Sequence, residues 1–241
     1  ILANSGFGVD IANDNAVAVV GAPFHNSNQG AVVLYARATD GTWSFLQTIS
    51  SPVGLPFGCF GMSVALRDGF LVVGAPTAMN ASSYARGAAF LYGRGTDGVY
   101  SLLRQFDPEQ PTATQNKYFG WTVSLVNSSL SISAPGEVLT TDAGKEGSVY
   151  VYKRDAYGAW NGTARLKSPG GSAGTFGTDM TSGSELNTGA RTALFVREQR
   201  PTQSDAVWKY RLSDGGVPVG FPVVSGQQIP NQVTATARFG G

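Results

Sequence analysis

Few side chains in this sequence could do chemistry. His25 is the only histidine and Cys59 the only cysteine among 241 residues. A structural zinc site needs four ligands drawn mainly from those two types, and a Ser-His-Asp triad or Cys-His dyad would rest on His25 alone. His25 follows Gly21-Ala22-Pro23 in a predicted loop and reads as surface. Cys59 reads as a small buried hydrophobe, or as the partner of a cysteine elsewhere. Asp142 and Glu146 are close enough in sequence to be weighed as a glycosidase-like carboxylate pair. Nothing around them fixes such a pair, and the segment reads as a solvated loop. No glycine-rich loop leads into a helix that would hold phosphate. The expectation is a protein that is not an enzyme, with no cofactor and no metal. One modification has acceptor sites: Asn80-Ala81-Ser82, Asn127-Ser128-Ser129 and Asn161-Gly162-Thr163 match the N-glycosylation pattern, in predicted loops or strand edges.

The bulk numbers narrow the class of partner. Formal net charge is +1, so no overall field attracts nucleic acid or acidic lipid. No apolar run approaches the roughly 20 residues needed to cross a bilayer, which predicts no membrane insertion in this segment. The chain opens on Ile1 without a signal peptide, so it reads as processed or as part of a longer protein. Only 14% of residues are charged and 32 are glycine. With plentiful Val, Phe and Tyr, that composition predicts short strands joined by tight turns.

Those strands recur. Phe-Gly pairs fall at Phe7-Gly8, Phe60-Gly61, Phe119-Gly120, Phe176-Gly177 and Phe239-Gly240, spaced by 53, 59, 57 and 63 residues. Three further signals keep the same phase. An apolar run closes on Gly21-Ala22-Pro23, Gly74-Ala75-Pro76 and Ser133-Ala134-Pro135. Alternating strands run from Gly30 to Tyr35, Gly87 to Tyr92, Gly147 to Tyr152 and Asp205 to Tyr210. Turns follow near Asp40-Gly41, Asp97-Gly98, Asp155 to Gly158 and Asp214-Gly215, where Asp-Gly predicts type I′ turns with positive φ at both central residues. In the first repeat the strands are predicted at Gly8–Ala12, Ala16–Gly21, Ala31–Ala36 and Trp43–Ile49. No helix-length apolar periodicity is present. Four antiparallel strands repeated at this period predict an all-β chain of propeller blades, since one blade cannot bury its faces alone but stacked neighbours can. The repeats span 7–59, 60–118, 119–175 and 176–238 of a single domain over 1–241, with 239–241 opening a further repeat.

Phe-Gly, then Gly-Ala-Pro about a dozen residues on, then Gly-x-Val-x-x-Tyr resembles the FG-GAP repeat of integrin α subunits and related extracellular proteins. The resemblance is clearest in repeats one to three. The fourth keeps Phe176-Gly177 but has Val196-Arg197-Glu198 where Gly-Ala-Pro is expected. It implies a propeller of about seven blades, of which these four are part, a closed four-bladed ring being the alternative. It gives Phe7, Phe60, Phe119 and Phe176 the role of plugs between adjacent blades, with Gly8, Gly61, Gly120 and Gly177 allowing close backbone approach. Calcium, which some of these propellers hold in long acidic loops between strands one and two, is not expected, because here those loops are short with at most one acid. Partners are expected on the face built from the loops joining strands two to three and strand four to the next blade. On it Phe24, His25, Tyr84, Arg86, Lys117 and Tyr118 are the candidate contacts. The resulting expectation is a secreted or cell-surface glycoprotein module for protein–protein adhesion or structural assembly, contacting a protein partner or neighbouring subunits. The alternative is a lectin-like propeller that binds glycans, and a hydrolase ranks below both.

Overall fold

The computed structural model describes residues 4–52, 57–79, 84–108, 116–138, 146–168, 174–184, 192–201, 204–212 and 227–229. Among them, four antiparallel sheets of four strands each follow one another along the chain. Blade one comprises β1 (Ile11–Asn13), β2 (Val17–Ala22), β3 (Ala31–Arg37) and β4 (Trp43–Ser50), and blade two β5 (Ser63–Arg67), β6 (Phe70–Ala75), β7 (Ala88–Arg94) and β8 (Tyr100–Phe106). Blade three comprises β9 (Val123–Val126), β10 (Ser129–Ala134), β11 (Ser148–Arg154) and β12 (Trp160–Leu166), and blade four β13 (Thr175–Ser184), β14 (Thr192–Gln199), β15 (Ala206–Leu212) and β16 (Gln227–Ile229). Spatial order equals chain order in every sheet. The first strands lie side by side, β1 against β5, β5 against β9 and β9 against β13. They line a cavity of about 670 Å³ to which all four blades contribute. These are propeller blades set around a common axis.

Successive blades are held by apolar layers between their sheets. Val19 and Leu34 of blade one pack with Val73 and Phe90 of blade two. Val72 and Leu91 then pack with Ile132 and Tyr150 of blade three, and Val149 and Val151 with Val196 and Trp208 of blade four. Each strand therefore turns alternate residues to the blade before and the blade after, and both sets must be apolar. This is why β2 and β6 read as near-continuous aliphatic runs rather than strict alternation.

Phe60, Phe119 and Phe176 are fully buried in these layers, where each ring meets an aromatic of its own blade edge-on: Phe90 at 5.5 Å, Tyr150 at 5.1 Å and Tyr210 at 6.0 Å. Glycine makes their seats possible. Gly30 has φ of +88°, and a Cβ there would fall 2.1 Å from the Phe60 carbonyl oxygen, well inside contact distance. Phe7 departs from the expected plug role. It is exposed, because no described blade lies on that side of blade one to cover it.

Two local expectations are corrected. β1 begins at Ile11 rather than Gly8, because Gly8 has φ of +92° and the Val9 N–H turns back to the Gly6 carbonyl. The Asp40-Gly41 and Asp97-Gly98 turns are not type I′, since only the glycine of each pair has positive φ. In the first, Ala38 N–H donates to the Thr42 carbonyl and Gly41 N–H to the Ala38 carbonyl, a three-residue loop ending in a glycine bulge. The Asp40 carboxylate accepts from the Thr42 N–H and hydroxyl at 2.9 and 2.7 Å, so the aspartate acts through its side chain. Positive φ at both central residues occurs instead at Asp68-Gly69, which joins β5 to β6 in two residues.

Candidate functional site

The two loop sets expected to form one face do meet. Cys59 and Phe60 N–H groups donate to the Asn28 and Gln29 carbonyls, Lys117 and Phe119 to Ala85 and Arg86, and Phe176 to Glu146. Each link ties the loop between strands two and three of one blade to the entry of the next. Phe24 is exposed and its N–H bonds the Ser5 carbonyl, while His25 is half-buried in the following turn. Tyr84 and Arg86 are half-buried, and an Arg86 guanidinium nitrogen reaches the Pro108 carbonyl at 3.4 Å. Tyr118 is half-buried, edge-on to Trp121 at 6.1 Å. Lys117 is not a surface contact. It is buried, and its Nζ is 2.9 Å from Glu137 Oε1. Asn127 lies exposed in the β9–β10 turn and Asn161 exposed on β12, where its amide donates to Asp155 at 2.9 Å. Asn80, Asp142 and Phe239-Gly240 fall outside the described residues.

Lys117 points to what the sequence reading missed, a buried carboxylate at the top of blade three. Glu137 is fully buried and holds Lys117, the Arg165 guanidinium at 2.8 Å, the Tyr150 hydroxyl at 2.9 Å and the Ser148 hydroxyl. Blade four repeats the device with Glu198, which accepts from the Trp208 indole at 2.7 Å and pairs with Arg200 at 3.0 Å. Register places Val33, Phe90, Tyr150 and Trp208 at one position of strand three. Blades one and two have plain hydrocarbon there and no described buried acid. A buried aromatic with a polar tip needs a partner, and the change from Val and Phe to Tyr and Trp was the legible signal. Both carboxylates are charge-compensated and shut away from solvent, an arrangement that fixes the segments they join.

At the central cavity, side chains of one inner strand hold the next. Asp10 Oδ2 accepts from the Val64 N–H at 2.7 Å, and Ser63 Oγ from the Val123 N–H at 3.1 Å. A second, smaller cleft of about 390 Å³ opens between blades three and four, lined by Tyr118, Trp121, Pro135, Thr175, Thr178 and Gln199. The Trp121 indole is fixed there by donating to the Thr178 carbonyl at 3.2 Å.

The largest chemical anomaly is on blade one. Register makes Ile11, Val64 and Val123 equivalent, and likewise Trp43, Tyr100 and Trp160. Val64, Val123, Tyr100 and Trp160 are 5, 7, 2 and 4% exposed, whereas Ile11 is 60% and Trp43 46% exposed. Phe7, Val9 and Phe45 are exposed as well, although Val20 and Val33 in the middle of this face are buried. Exposed apolar residues clustered in this way, rather than scattered singly, mark a contact surface.

The class is therefore a β-propeller assembled from four-stranded blades whose Phe-Gly turns lock successive sheets. Residues 43–92, from β4 into β7, match the FG-GAP repeat family. That stretch thus carries the FG-GAP repeat that the motifs of the first three repeats resemble. No curated protein matches it. Among solved structures, a Bombyx mori GH32 beta-fructofuranosidase variant in complex with sucrose is similar at 13% identity, over 84% of this chain and 46% of that one, with a TM-score of 0.46. The Pseudomonas aeruginosa periplasmic gluconolactonase is similar at 11% identity, over 83% and 68%, with a TM-score of 0.42. This chain spans less than half the length of the fructofuranosidase it matches.

Proposed function

We propose that this chain is a non-catalytic assembly or adhesion module, working outside the cell and contacting protein neighbours through rigid blade surfaces. The observation that carries the reading is the apolar face of blade one, where Phe7, Ile11 and Trp43 are exposed at positions that blades two and three bury. Such a face is association-prone unless covered. The reading is also favoured by the state of the described acids, since Glu137 and Glu198 are locked in ion pairs and Asp10 holds backbone. Asn127 and Asn161 are accessible for glycosylation, in keeping with a secreted or cell-surface location. No helix among the described residues is long and apolar enough to cross a membrane. Light scattering on material isolated from its source tests the proposal. A particle several times heavier than the polypeptide it contains, with Trp43 fluorescence shielded from an aqueous quencher, is expected. A single-chain mass with Trp43 open to the quencher would end it.

A second reading rests on the Tyr118–Trp121 cleft. Two aromatic rings beside Thr175, Thr178 and Gln199 supply the stacking surface and hydrogen-bonding groups that a sugar needs. Trp121 corresponds to Val9, Met62 and Thr178 in the other repeats, so this is one site and not a ring of equivalent sites. Glycan-array binding that Trp121→Ala abolishes would favour a lectin, and silence on the array would remove it.

A further inference from the structure

We infer that the Tyr118–Trp121 cleft of one copy takes the segment 217–224 of a second copy, so that identical chains join head to tail. This contact deepens the assembly reading and rests on it.

Blade four breaks the repeat at one connection. Strands three and four are joined by five residues in each of blades one to three, at 38–42, 95–99 and 155–159, whereas 213–226 joins β15 to β16. Residues 213–226 lie outside the described residues. The surplus is not polar in composition. It contains Val217-Pro218-Val219-Gly220-Phe221-Pro222-Val223-Val224, without a charged or hydrogen-bonding side chain. Function on a propeller sits in its connections, and an apolar run placed on one is a contact in search of a cover.

The cleft between blades three and four matches this segment in chemistry. None of its lining residues is charged, as none of the segment's is. Tyr118 and Trp121 stand edge-on at 6.1 Å, and the indole N–H already donates to the Thr178 carbonyl, so that ring offers apolar surface alone. A Cβ at Gly136 would fall 2.6 Å from the Tyr118 ring, so glycine there gives the ring its seat. The Thr178 hydroxyl is shut from solvent and has no hydrogen-bond partner among the described residues. With the Gln199 amide it can donate to main-chain carbonyls. Pro218 and Pro222 bring carbonyls but no N–H, so a chain carrying them places few unmet donors in the cleft. Proline also restricts a segment before it binds, which lowers the entropy lost on docking. Aromatic-lined clefts take proline-containing segments on these grounds. At about 390 Å³ there is room for a few residues of extended chain and not for a folded surface.

The contact lies between copies because the segment starts at the wrong end of its own blade. It leaves β15 at Leu212, opposite Thr192, whereas the cleft lies at Gln199, the other end of β14. Running the length of β14 and returning to Gln227, beside Lys209, would take about eleven residues at about 3.3 Å each. The remainder cannot also cross to β13 and fill a cleft. A neighbouring copy has no such limit. Segment and cleft are different surfaces, so the contact is heterologous and propagates.

Sedimentation equilibrium on the full chain tests this by complementation. Wild-type average mass should rise about two-fold or more with concentration. Trp121→Ala removes a cleft wall and Phe221→Ser the largest side chain of the segment, and each should abolish that rise. Mixed in equal amounts, the two variants should give a 1:1 heterodimer and nothing larger, because one intact cleft and one intact segment remain. A peptide of residues 216–225 in excess should dissolve the wild-type oligomer. Tyr118→Leu serves if Trp121→Ala does not fold. Association that survives both substitutions and the peptide overturns the inference, as does a wild type that stays at one chain mass. A neutral monosaccharide that shields Trp121 from quencher where the peptide does not also overturns it, and moves the cleft to the lectin reading. In each of these cases a heavy native particle with Trp43 shielded leaves the assembly reading standing, whereas a single-chain native particle with Trp43 accessible removes that reading itself.

Discussion

Blade one and blade two are close in sequence pattern and opposite in circumstance. Both carry Phe-Gly, Gly-Ala-Pro and a strand-three Tyr, yet Phe60 and Tyr100 are sealed in a layer while Phe7 and Trp43 meet solvent. Burial here belongs to the interface between repeats, not to the motif. A repeat of this kind is half of two cores, and its residue types report what it was built to touch even where nothing touches it. Blade four differs in kind, since Arg197 and Lys209 stand where blades one and two have glycine and leucine.

Breaking the buried side of that comparison should have the largest effect. Phe60→Ala or Phe119→Ala removes a fully buried aromatic and is expected to cost about 3–5 kcal/mol in urea unfolding, against less than about 1 kcal/mol for Phe7→Ala. Equal costs for the three variants would show that Phe7 is covered in solution. Glu137→Gln leaves Lys117 and Arg165 facing a neutral amide, and a loss of about 3 kcal/mol is expected because breaking a buried pair strands its charge. A melting temperature within a degree of wild type would mean that water reaches the cluster.

Gly21→Ala places a methyl group against the Gly61 carbonyl and should destabilise by about 1–3 kcal/mol, as overpacking does. Arg197→Ala at the equivalent position of blade four should change stability by less than about 1 kcal/mol, since its ion pair is about half exposed. If the glycine variant were the milder of the two, the close blade contact would be wrong.

The smallest effects are pH-dependent and contrast the turns with the layers. Hydrogen bonds from Thr42 hold the Asp40 carboxyl below its ordinary range, and those from Ala159, Tyr157 and Asn161 do the same for Asp155. Folded-state values that are depressed give stability present above the unfolded value and lost as pH falls through the folded one. The melting difference between wild type and Asp155→Ala should therefore be present at pH 7 and shrink below about pH 4. Tyr100 shifts the other way, because burial pushes its phenol up to about 12, with the charge of Asp14 adding to the rise. Its contribution should fall as pH rises from about 10 towards that value. In alkaline melts, Tyr100→Phe should lose less stability over that window than wild type does.

Much of this architecture was legible because the repeat imposed it. The strand-three runs and the Phe-Gly spacing each fixed an element within a residue or two, since period-two patterning and positive-φ glycine leave few alternatives. The meeting of the two loop sets on one face followed from blade topology. The use made of particular polar residues was less legible. Lys117 read as a surface hot spot because nothing local reveals that Glu137, 20 residues on, folds back onto it. Asp40 read as a positive-φ residue, when its carboxylate had a bond to make to Thr42.

By itself the sequence determined the all-β repeat, the positions of the Phe-Gly locks and the scarcity of catalytic side chains, because these depend on residue type and short-range geometry. Only the tertiary structure decided which locks are closed, that Glu137 and Glu198 are buried and compensated, and that blade one shows an apolar face while blade four shows a charged one. Burial and charge pairing arise between residues far apart in the chain, and no local pattern states whether a neighbour is there.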